Sequence, residues 1–310
     1  MISLALCTRN RPQQLTAWIT HMADVHTSSN HPIIIIDQSD TVFTYPWPTY
    51  ITYIHVPGRG LSLARNRAVQ HCTTPYILFT DDDCRPTHDW IIQAHKCITT
   101  DPNVAAWFGQ AWPSGTEYTL HHYQTHTGHI TWATRYDGAS CHALRIDNQP
   151  FHTHQPVAVL EHLGHGNQML IHCATLKSIG GFNPWLGAGA WLQSGEDVDM
   201  ALCMLSHGHA CAFAPSLRII HDAWIMPVEH ARLIQRYSTG MIALHLYHAW
   251  QGMQIAYDYL HFRYKEATNS LYTAPRTVSS IPPVPRWRYL IAMLHGIIGG
   301  IGLILWRRSK

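Results

Sequence analysis

Charged residues are scarce in this sequence, and lysine is the rarest of them. Asp, Glu, Lys and Arg make up 13% of the 310 residues, against about 25% in an average soluble protein, and only four residues are lysine. The formal net charge is +2, and the chain has no stripe of basic residues with interleaved aromatic residues, as a nucleic-acid-binding surface would need. A nucleic-acid partner is therefore not expected.

The chain also lacks an ordered cysteine pattern, and no N-terminal signal peptide is expected. Its eight cysteines show no regular spacing, and a chain of this length can bury a sizeable core, so we expect buried thiols in a reducing compartment. The 25 histidines lack the ligand spacing of structural zinc sites, which disfavours a dedicated zinc site. Because a strand-like run starts at residue 2, we expect no signal peptide and a cytoplasmic site of action.

Three adjacent carboxylates are the most informative feature that is present. Residues 77–80 read Ile-Leu-Phe-Thr, a buried-strand pattern, and Asp81, Asp82 and Asp83 follow directly. Adjacent acids repel one another, so a neutralising cation is the physical expectation, and with it a phosphate-bearing substrate. The alternative is an acidic surface turn or a helix cap. The position favours the cation, because open α/β sheets bind ligands beyond the carboxyl ends of their strands.

The N-terminal half alternates strand-like and helix-like segments. Several apolar runs are continuous, as in parallel strands that are buried on both faces. This alternation predicts an α/β fold with a Rossmann-like, largely parallel twisted sheet flanked by helices. The predicted strands cover residues 2–6, 33–36, 51–56, 76–79 and 104–108, and the predicted helices cover residues 12–22, 62–72 and 89–99.

Polar side chains follow several of these predicted strands. Thr8 and Arg9 follow the first strand, Asp37 follows the second, and the acidic triplet follows the fourth. Arg65 lies in the helix-like segment before the fourth strand. An acid for a base or ribose, arginines for phosphate and carboxylates for a metal together indicate a nucleotide-diphosphate site.

Six short motifs occur in order along the chain. They are residues 7–12 (CTRNRP), 36–40 (IDQSD), 60–66 (GLSLARN), 81–86 (DDDCRP), 180–183 (GGFN) and 195–199 (GEDVD). Together they resemble the inverting glycosyltransferases of family 2, which have the GT-A fold, and so many ordered motifs are improbable by chance. The resemblance predicts a GT-A catalytic domain over residues 1–225. The many apolar and aromatic residues between 229 and 266 predict one or two long helices, which we interpret as a helical appendage over residues 226–280.

The resemblance implies roles for the residues at the sheet edge. Asp37 would contact the nucleotide base, with Thr8 and Arg9 flanking it, and Arg65 would lie near the nucleotide. The donor expected from family habit is a UDP-sugar.

The acidic triplet looks like the DxD motif of the family. By resemblance, Asp81 would face the ribose and the metal, and Asp83 would coordinate Mg²⁺ or Mn²⁺. Asp82 would either point away or substitute for one of them in contacting the donor. In some GT-A enzymes a histidine at the place of His221 completes the metal site, so His221 is a predicted further ligand.

Glu196 and Asp197 form the second chemical element. An acceptor hydroxyl is a poor nucleophile until a base takes its proton, and such help is typically worth ~10² to 10⁴ in rate. The alternative is that these acids only favour the start of a helix, and both can be true. The resemblance assigns the base to Asp197, with Glu196 orienting the acceptor or taking the role itself. Asp199 is expected to be structural, and Trp191 to line the acceptor cleft.

The mechanism implied is a single displacement that inverts the configuration of the sugar, with the metal absorbing charge on the leaving diphosphate. A sugar-phosphate nucleotidyltransferase is one alternative, although its glycine-rich N-terminal loop and activating lysine are missing. The other is a non-catalytic membrane-associated binding protein of the same fold. The intact acids Asp81, Asp83, Glu196 and Asp197 argue against it.

The C-terminal residues 281–310 predict a proline-rich linker and a hydrophobic helix. Residues 289–306 contain no Asp, Glu, Lys or Arg, and as a helix they would extend ~27 Å, just short of a ~30 Å hydrocarbon core. Tyr289 and Trp306 would be interfacial anchors. A membrane span, an in-plane helix and a helix docked on the catalytic domain all remain open. We expect association with the cytoplasmic face of the membrane and a lipid or membrane-bound glycan as acceptor.

Overall fold

The computed structural model describes residues 1–26, 31–114, 144–146, 166–222, 227–261, 264 and 286–308. The strands are β1 (Ile2–Thr8), β2 (Ile33–Asp37), β3 (Ile51–His55), β4 (Tyr76–Asp81), β5 (Cys84–Pro86), β6 (Val104–Pro113), β7 (Leu144–Ile146), β8 (Gln168–His172) and β9 (Ala210–His221). The helices are α1 (Pro12–His26), α2 (Leu61–His71), α3 (Trp90–Thr100), α4 (Cys173–Ser178), α5 (Glu196–Ser206), α6 (Pro227–Trp250) and α7 (Arg286–Arg308). Residues 254–261 form a further helical stretch. The linker predicted at residues 281–285 lies outside the described residues.

Strands β1 to β4 form the parallel part of a nine-stranded sheet, whose order is β3-β2-β1-β4-β8-β6-β9-β5 with β7 beside β9. β1 pairs in parallel with β2 and β4, and β2 pairs in parallel with β3. β2 is buried along its whole length, which is why its sequence does not alternate between apolar and polar residues. The predicted α/β fold class is confirmed, and every predicted strand and helix is present.

Beyond β4 the sheet changes direction. β8 is antiparallel to both of its neighbours, β4 and β6. β6 then runs parallel to β9, while β5 and β7 are antiparallel to β9. The description "largely parallel" therefore holds for the first half of the sheet, and the sheet as a whole is mixed.

Helices cover both faces of the sheet and create two hydrophobic cores. On one face α1 and α3 bury large side chains that include Trp18 and Trp90. On the other face α2, α4 and α5 pack on the sheet, and residues of α6 and α7 extend the same core. Each large apolar side chain that is fully buried contributes ~1.5–3 kcal/mol. The two cores fix the sheet, and with it the positions of the loops at its carboxyl edge.

A register shift between β6 and β9 directs the end of β9 toward the acidic triplet. The pairing skips three residues of β9 immediately after Gly109. Gln168 fills the break by donating from Nε2 to the carbonyl oxygen of Leu217 at 2.7 Å, and a Cβ on Gly109 would overlap its side chain. The final residues of β9 then pair with β5, where His221 stands opposite Cys84.

The two C-terminal helices pack against each other and against the loop that precedes α5. A Cβ on Gly296 of α7 would lie 2.7 Å from Cβ of Ile242 in α6, and a Cβ on Gly299 would overlap Leu192 in that loop. These glycines let the helix backbones approach closely. The hydrophobic C-terminal helix is thus docked on the body of the protein along one face.

The described cysteines are free thiols, and five of the seven are buried. Cys72 and Cys173 lie close together, with their sulfur atoms 3.4 Å apart. This agrees with the buried thiols that the cysteine spacing predicted. The reducing compartment remains a prediction.

Candidate active site

The carboxyl ends of β1, β2 and β4 meet at one edge of the sheet. Thr8 stands in register with Asp37, and its neighbour Cys7 stands in register with Asp81. The hydroxyl of Thr8 also donates to Asp82 at 2.6 Å. The structure therefore brings together the strand ends on which the predicted nucleotide-diphosphate site depends.

The three acids of the triplet lie in different environments. Asp82 is buried and accepts a hydrogen bond from Arg11. Asp83 accepts from the same guanidinium at 3.0 Å, and its other oxygen lies 3.4 Å from Nε2 of His221. Asp81 is the most open of the three, with 30% of its side chain exposed. A cation approaching from solvent therefore meets Asp81 and Asp83, while Asp82 faces the interior.

The electrostatics of the triplet also separate its members. Although part of its side chain is exposed, desolvation by the surrounding residues raises the pKa of Asp81 to about 7, with Arg65 opposing the rise and the other two acids adding to it. Burial would likewise raise the pKa of Asp83, but its hydrogen bond to His221 and the charges of His221 and Arg11 hold it below its ordinary value. One carboxylate is thus firmly ionised beside one that titrates near neutrality. A bound cation would favour the charged form of both.

The donor set at this edge fits a divalent cation that prefers oxygen and nitrogen. The ligand atoms of Asp83, Cys84 and His221 all lie within 4.8 Å of one another. Burial raises the pKa of Cys84 well above its ordinary value, and a soft sulfur ligand does not suit Mg²⁺ or Mn²⁺. Carboxylate oxygen and imidazole nitrogen remain, with Asp81 adjacent, and such ligands suit Mn²⁺ and Mg²⁺.

Asp37 and Arg9 organise the loops beside the triplet. Asp37 is buried, and it accepts hydrogen bonds from both the backbone and the hydroxyl of Ser39 and, at 2.7 Å, from the phenol of Tyr53. Arg9 donates to Asp40 at 2.9 Å and thereby ties the loop after β1 to the loop after β2. The nucleotide contacts predicted for Asp37 and Arg9 remain predictions.

Arg65 is a buried hub rather than a surface cation. It donates to Oε1 of Glu196 at 2.8 Å and lies 3.6 Å from Asp81. Its guanidinium carbon sits over two aromatic rings, 5.9 Å from the centroid of Phe79 and 5.6 Å from that of Phe182. Arg65 therefore links Asp81 of the triplet to Glu196, the first residue of α5.

Asp197 is held at the start of α5 by backbone donors. Its Oδ2 accepts from the N–H of Gly166 at 2.7 Å, and its Oδ1 accepts from the N–H of Val198 at 2.9 Å. Burial and then the charge of Glu196 raise its pKa to about 7, although Arg65 opposes the rise. A carboxylate whose pKa lies near neutrality is suited to general-base chemistry at that pH.

Two residues near the acids were not assigned a role from the sequence. Arg11 belongs to the first motif, and this motif was the only signal that could have drawn attention to it. Tyr237 lies on α6, and 51% of its surface is exposed. Partial burial and then the charges of Asp197 and Glu196 raise the pKa of its phenol to about 12. Tyr237 thus lies within the field of the acid cluster, which no local motif indicated.

Trp191 lies on the open side of the loop that leads to α5. It is 56% exposed, and it meets Trp185 edge to face with ring centroids 5.4 Å apart. Trp185 in turn lies 5.5 Å from Trp306 of α7. The aromatic side chain predicted to line the acceptor cleft therefore stands where the loop before α5 meets the C-terminal helix.

Asp199 has the structural role expected for it. It is buried on α5 and accepts from Nε2 of His248 on α6 and from Arg307 on α7, both at 2.9 Å. Burial would raise the pKa of Asp199, but the hydrogen bond and charge of His248 and the charge of Arg307 hold it below its ordinary value. This cluster fastens both C-terminal helices to the helix that carries Glu196 and Asp197.

The mixed sheet, its acidic edge and the second acid pair on α5 define a GT-A type of fold. The sequence profile described as "Glycosyl transferase family 2" matches residues 3–155. Over this N-terminal part the chain is therefore similar to glycosyltransferase family 2.

Solved structures show the same architecture. The mannosyltransferase PcManGT from Pyrobaculum calidifontis, in complex with GDP-Man and Mn²⁺, superimposes with a TM-score of 0.53 at 14% identity, over 97% of this chain and 86% of that one. Residues 1–349 of S. aureus TarS, in complex with UDP-GlcNAc, superimpose with a TM-score of 0.56 at 11% identity, over 96% and 81% of the two chains. At these identities the likeness concerns the fold. No curated protein matches the sequence significantly.

Proposed function

We propose that this protein is an inverting glycosyltransferase that moves a sugar from a nucleoside-diphosphate sugar to an acceptor hydroxyl. The observation that carries the proposal is the pair of acid groups on either side of Arg65. One group, Asp81 with Asp83, is suited to a metal and a diphosphate, and the other, Glu196 with Asp197, is suited to proton abstraction. A transfer by single displacement requires both functions on opposite sides of the sugar.

The residues of the chain divide the work as follows. Thr8, Arg9 and Asp37 would bind the nucleoside of the donor, as the family resemblance implies. Asp197 would take the proton of the acceptor hydroxyl, and Arg65 keeps Glu196 in position beside it. Family habit favours UDP as the nucleotide.

The divalent ion would be held by Asp81, Asp83 and His221, and it would neutralise charge on the leaving diphosphate. Mn²⁺ accompanies the donor in the PcManGT complex, and either Mn²⁺ or Mg²⁺ suits the oxygen-rich donor set here. Asp82 is paired with Thr8 and Arg11. It would therefore support the metal site from behind.

The acceptor would be a lipid or a membrane-bound glycan, reached from the cytoplasmic face of the membrane. One helix among the described residues, Trp287–Arg307, is long and apolar enough to cross a bilayer, with a mean hydropathy of 1.9. Trp191 packs on Trp185, and Trp185 in turn contacts Trp306 of this helix. A saccharide held at a membrane surface could therefore reach Trp185 and Trp191, which we call the aromatic side of the cleft.

The test is a product analysis on the full chain with a panel of nucleotide sugars and Mn²⁺. Free nucleoside diphosphate and pyrophosphate are quantified separately. Metal-dependent release of the diphosphate that is lost in Asp83→Asn supports the proposal. Release of pyrophosphate would identify a nucleotidyltransferase instead, and tight donor binding without either product would identify a binding protein of this fold.

A further inference from the structure

The C-terminal helix α7 has two faces with opposite environments. Ala292, Gly296, Gly299, Gly300 and Leu303 are buried, and their spacing of three and four residues places them on one side of the helix. Leu290, Leu294, Ile297, Ile298, Ile301 and Leu305 are exposed and repeat with the same spacing on the opposite side. We call this second set the exposed stripe. It extends ~22 Å along the helix.

The ends of α7 are fixed to the same body. Near its start, Arg288 donates to Gln235 of α6 at 3.0 Å. Near its end, Arg307 donates to the buried Asp199 of α5 at 2.9 Å and sits over the ring of Tyr247. A helix that crosses a bilayer places its ends on opposite sides of a ~30 Å hydrocarbon layer. With both ends bound in this way, α7 cannot span unless these contacts break.

α6, the helix on which α7 packs, is not a candidate membrane span. Within the described part of the chain, α7 is the one candidate by length and composition. α6 would have to enter the hydrocarbon with its partner, and it carries Arg236 and also His248, whose ring is paired with the buried Asp199 of α5. Charged groups at that depth are costly. The docked geometry therefore suits a helix that lies along the membrane surface.

We propose that α7 binds the lipid bilayer in the plane of its interface, as a fixed part of the catalytic body, with the exposed stripe facing the acyl chains. The inference rests on the membrane association proposed above and specifies its geometry. A groove of ≈ 600 Å³ continues the stripe, and Ile297 and Ile301 line it together with Trp250, Tyr257 and Leu260. Trp287 and Tyr289 are exposed at the start of the helix, as aromatic residues are at membrane interfaces.

This geometry also places the aromatic side of the cleft at the bilayer surface. A Cβ on Gly302 of α7 would lie 3.1 Å from the ring of Trp185 and 3.5 Å from that of Trp191. Trp185 and Trp191 line a shallow pocket of ≈ 360 Å³ together with Pro184. An acceptor anchored in the same leaflet would meet this pocket without leaving the membrane.

The experiment uses the full chain with one tag at each end, added to sealed vesicles of phosphatidylcholine with phosphatidylglycerol. Vesicle flotation measures binding, and protease added outside tests the accessibility of both tags. We expect binding with both tags cleaved. Ile298→Asp and Leu305→Asp should each lower the bound fraction at least about tenfold, because they remove apolar contact and place a charge in the interface. Ile92→Asp on α3 is the matched control, since Ile92 and Ile298 are 56% and 57% exposed, and it should bind as the unaltered chain does.

Distinct outcomes would overturn the inference. A protected C-terminal tag would mean that α7 spans, which leaves membrane association intact and refutes the in-plane geometry. Unchanged vesicle binding in both stripe variants would remove the stripe from the contact. If the variants instead convert a dimer to a monomer in light scattering, the stripe binds a second copy of the chain. Nucleotide-sugar turnover in solution is measured separately, so a failed donor assay would not bear on the vesicle result.

Discussion

The buried guanidinium of Arg65 contacts acids on two elements that are distant in sequence. If it were removed, Glu196 would be left with an unpaired charge in the interior, and breaking such a buried pair costs about 3–5 kcal/mol. We therefore expect Arg65→Met to lower the free energy of unfolding by about that amount, measured by urea denaturation. Arg67→Met on the same helix is the control, because Arg67 is exposed and should change stability by no more than about 0.5 kcal/mol. Equal effects of the two substitutions would contradict the role of Arg65 as a hub.

Asp197 allows a prediction about pH. Its pKa of about 7 means that the basic form gains population as the pH rises from about 6 to 8, so kcat/KM should rise across this range. Asp197→Asn should lose this limb and lower turnover ~10²- to 10⁴-fold, while calorimetry shows unchanged binding of the nucleoside diphosphate. Lost nucleotide binding would count against a role as base.

Unfolding would not explain the lower turnover expected for Asp197→Asn. The folded state raises the pKa of Asp197 above the ordinary value of 3.8, so it favours the protonated carboxyl. That contribution to stability is present at low pH and is lost as the pH rises through about 7. Asparagine carries no charge at any pH, which removes the repulsion from Glu196, but its amide nitrogen cannot accept one of the two backbone hydrogen bonds. Asp197→Asn should therefore stay folded at pH 8, with a free energy of unfolding within about 1–3 kcal/mol of the unaltered chain.

The hydrogen-bond partners of the individual acids could not be predicted from the sequence. Parallel strands end at one edge of a sheet, so the convergence of Thr8, Asp37 and Asp81 was predictable from the order of the elements. Which donors satisfy each carboxylate depends on residues that are distant in sequence, such as Tyr53 for Asp37 and Gly166 for Asp197. The contacts follow from tertiary packing, which local patterns do not encode.

Hydrophobic patterns predict some features of the strands and helices and not others. Continuous apolar runs indicated β2 and β4, because strands buried on both faces have this pattern. β3 has a mixed sequence and is mostly half-buried. The direction of β8 was not predictable, since a run buried on both faces reads alike in a parallel or an antiparallel strand. For α7, composition indicated a helix, whereas its docking depends on glycines that meet particular side chains of α6 and the loop before α5.

The docking of α7 predicts a strong effect of side-chain volume at Gly299. Any Cβ there would overlap Leu192, so Gly299→Leu should force the helix away and lower the free energy of unfolding by about 1–3 kcal/mol. Ile298→Leu is the matched control on the opposite face, where the side chain is exposed and the change should be near zero. Thermal unfolding checks both variants. A Tm for Gly299→Leu equal to that of the control would mean that α7 is not held by this contact.

At the scale of the whole molecule, α7, the proposed membrane-binding helix, is linked to α5, which carries the proposed base. Asp199 lies two residues after Asp197 on α5 and binds both His248 of α6 and Arg307 of α7. The sheet holds the proposed donor side of the site, while this cluster holds the proposed acceptor side against the C-terminal helices. The two sides then meet at Arg65, so a ligand that bridges them should stabilise the whole fold rather than one loop.

A thermal-shift experiment tests this stabilisation. A ligand that binds only the folded state adds RT ln(1 + [L]/Kd), which is about 2.7 kcal/mol at 100 times Kd. We expect Mn²⁺ with UDP to raise Tm more than the sum of the two alone, because the ion neutralises carboxylates that also face the diphosphate. Asp83→Asn should abolish the excess, since Asp83 is the acid that the surroundings keep ionised. Asp258→Asn is the control, because Asp258 bonds to Gln254 on the helical stretch 254–261 and should keep the full shift. An equal shift in Asp83→Asn would place the ion elsewhere and remove the metal from the proposed reaction.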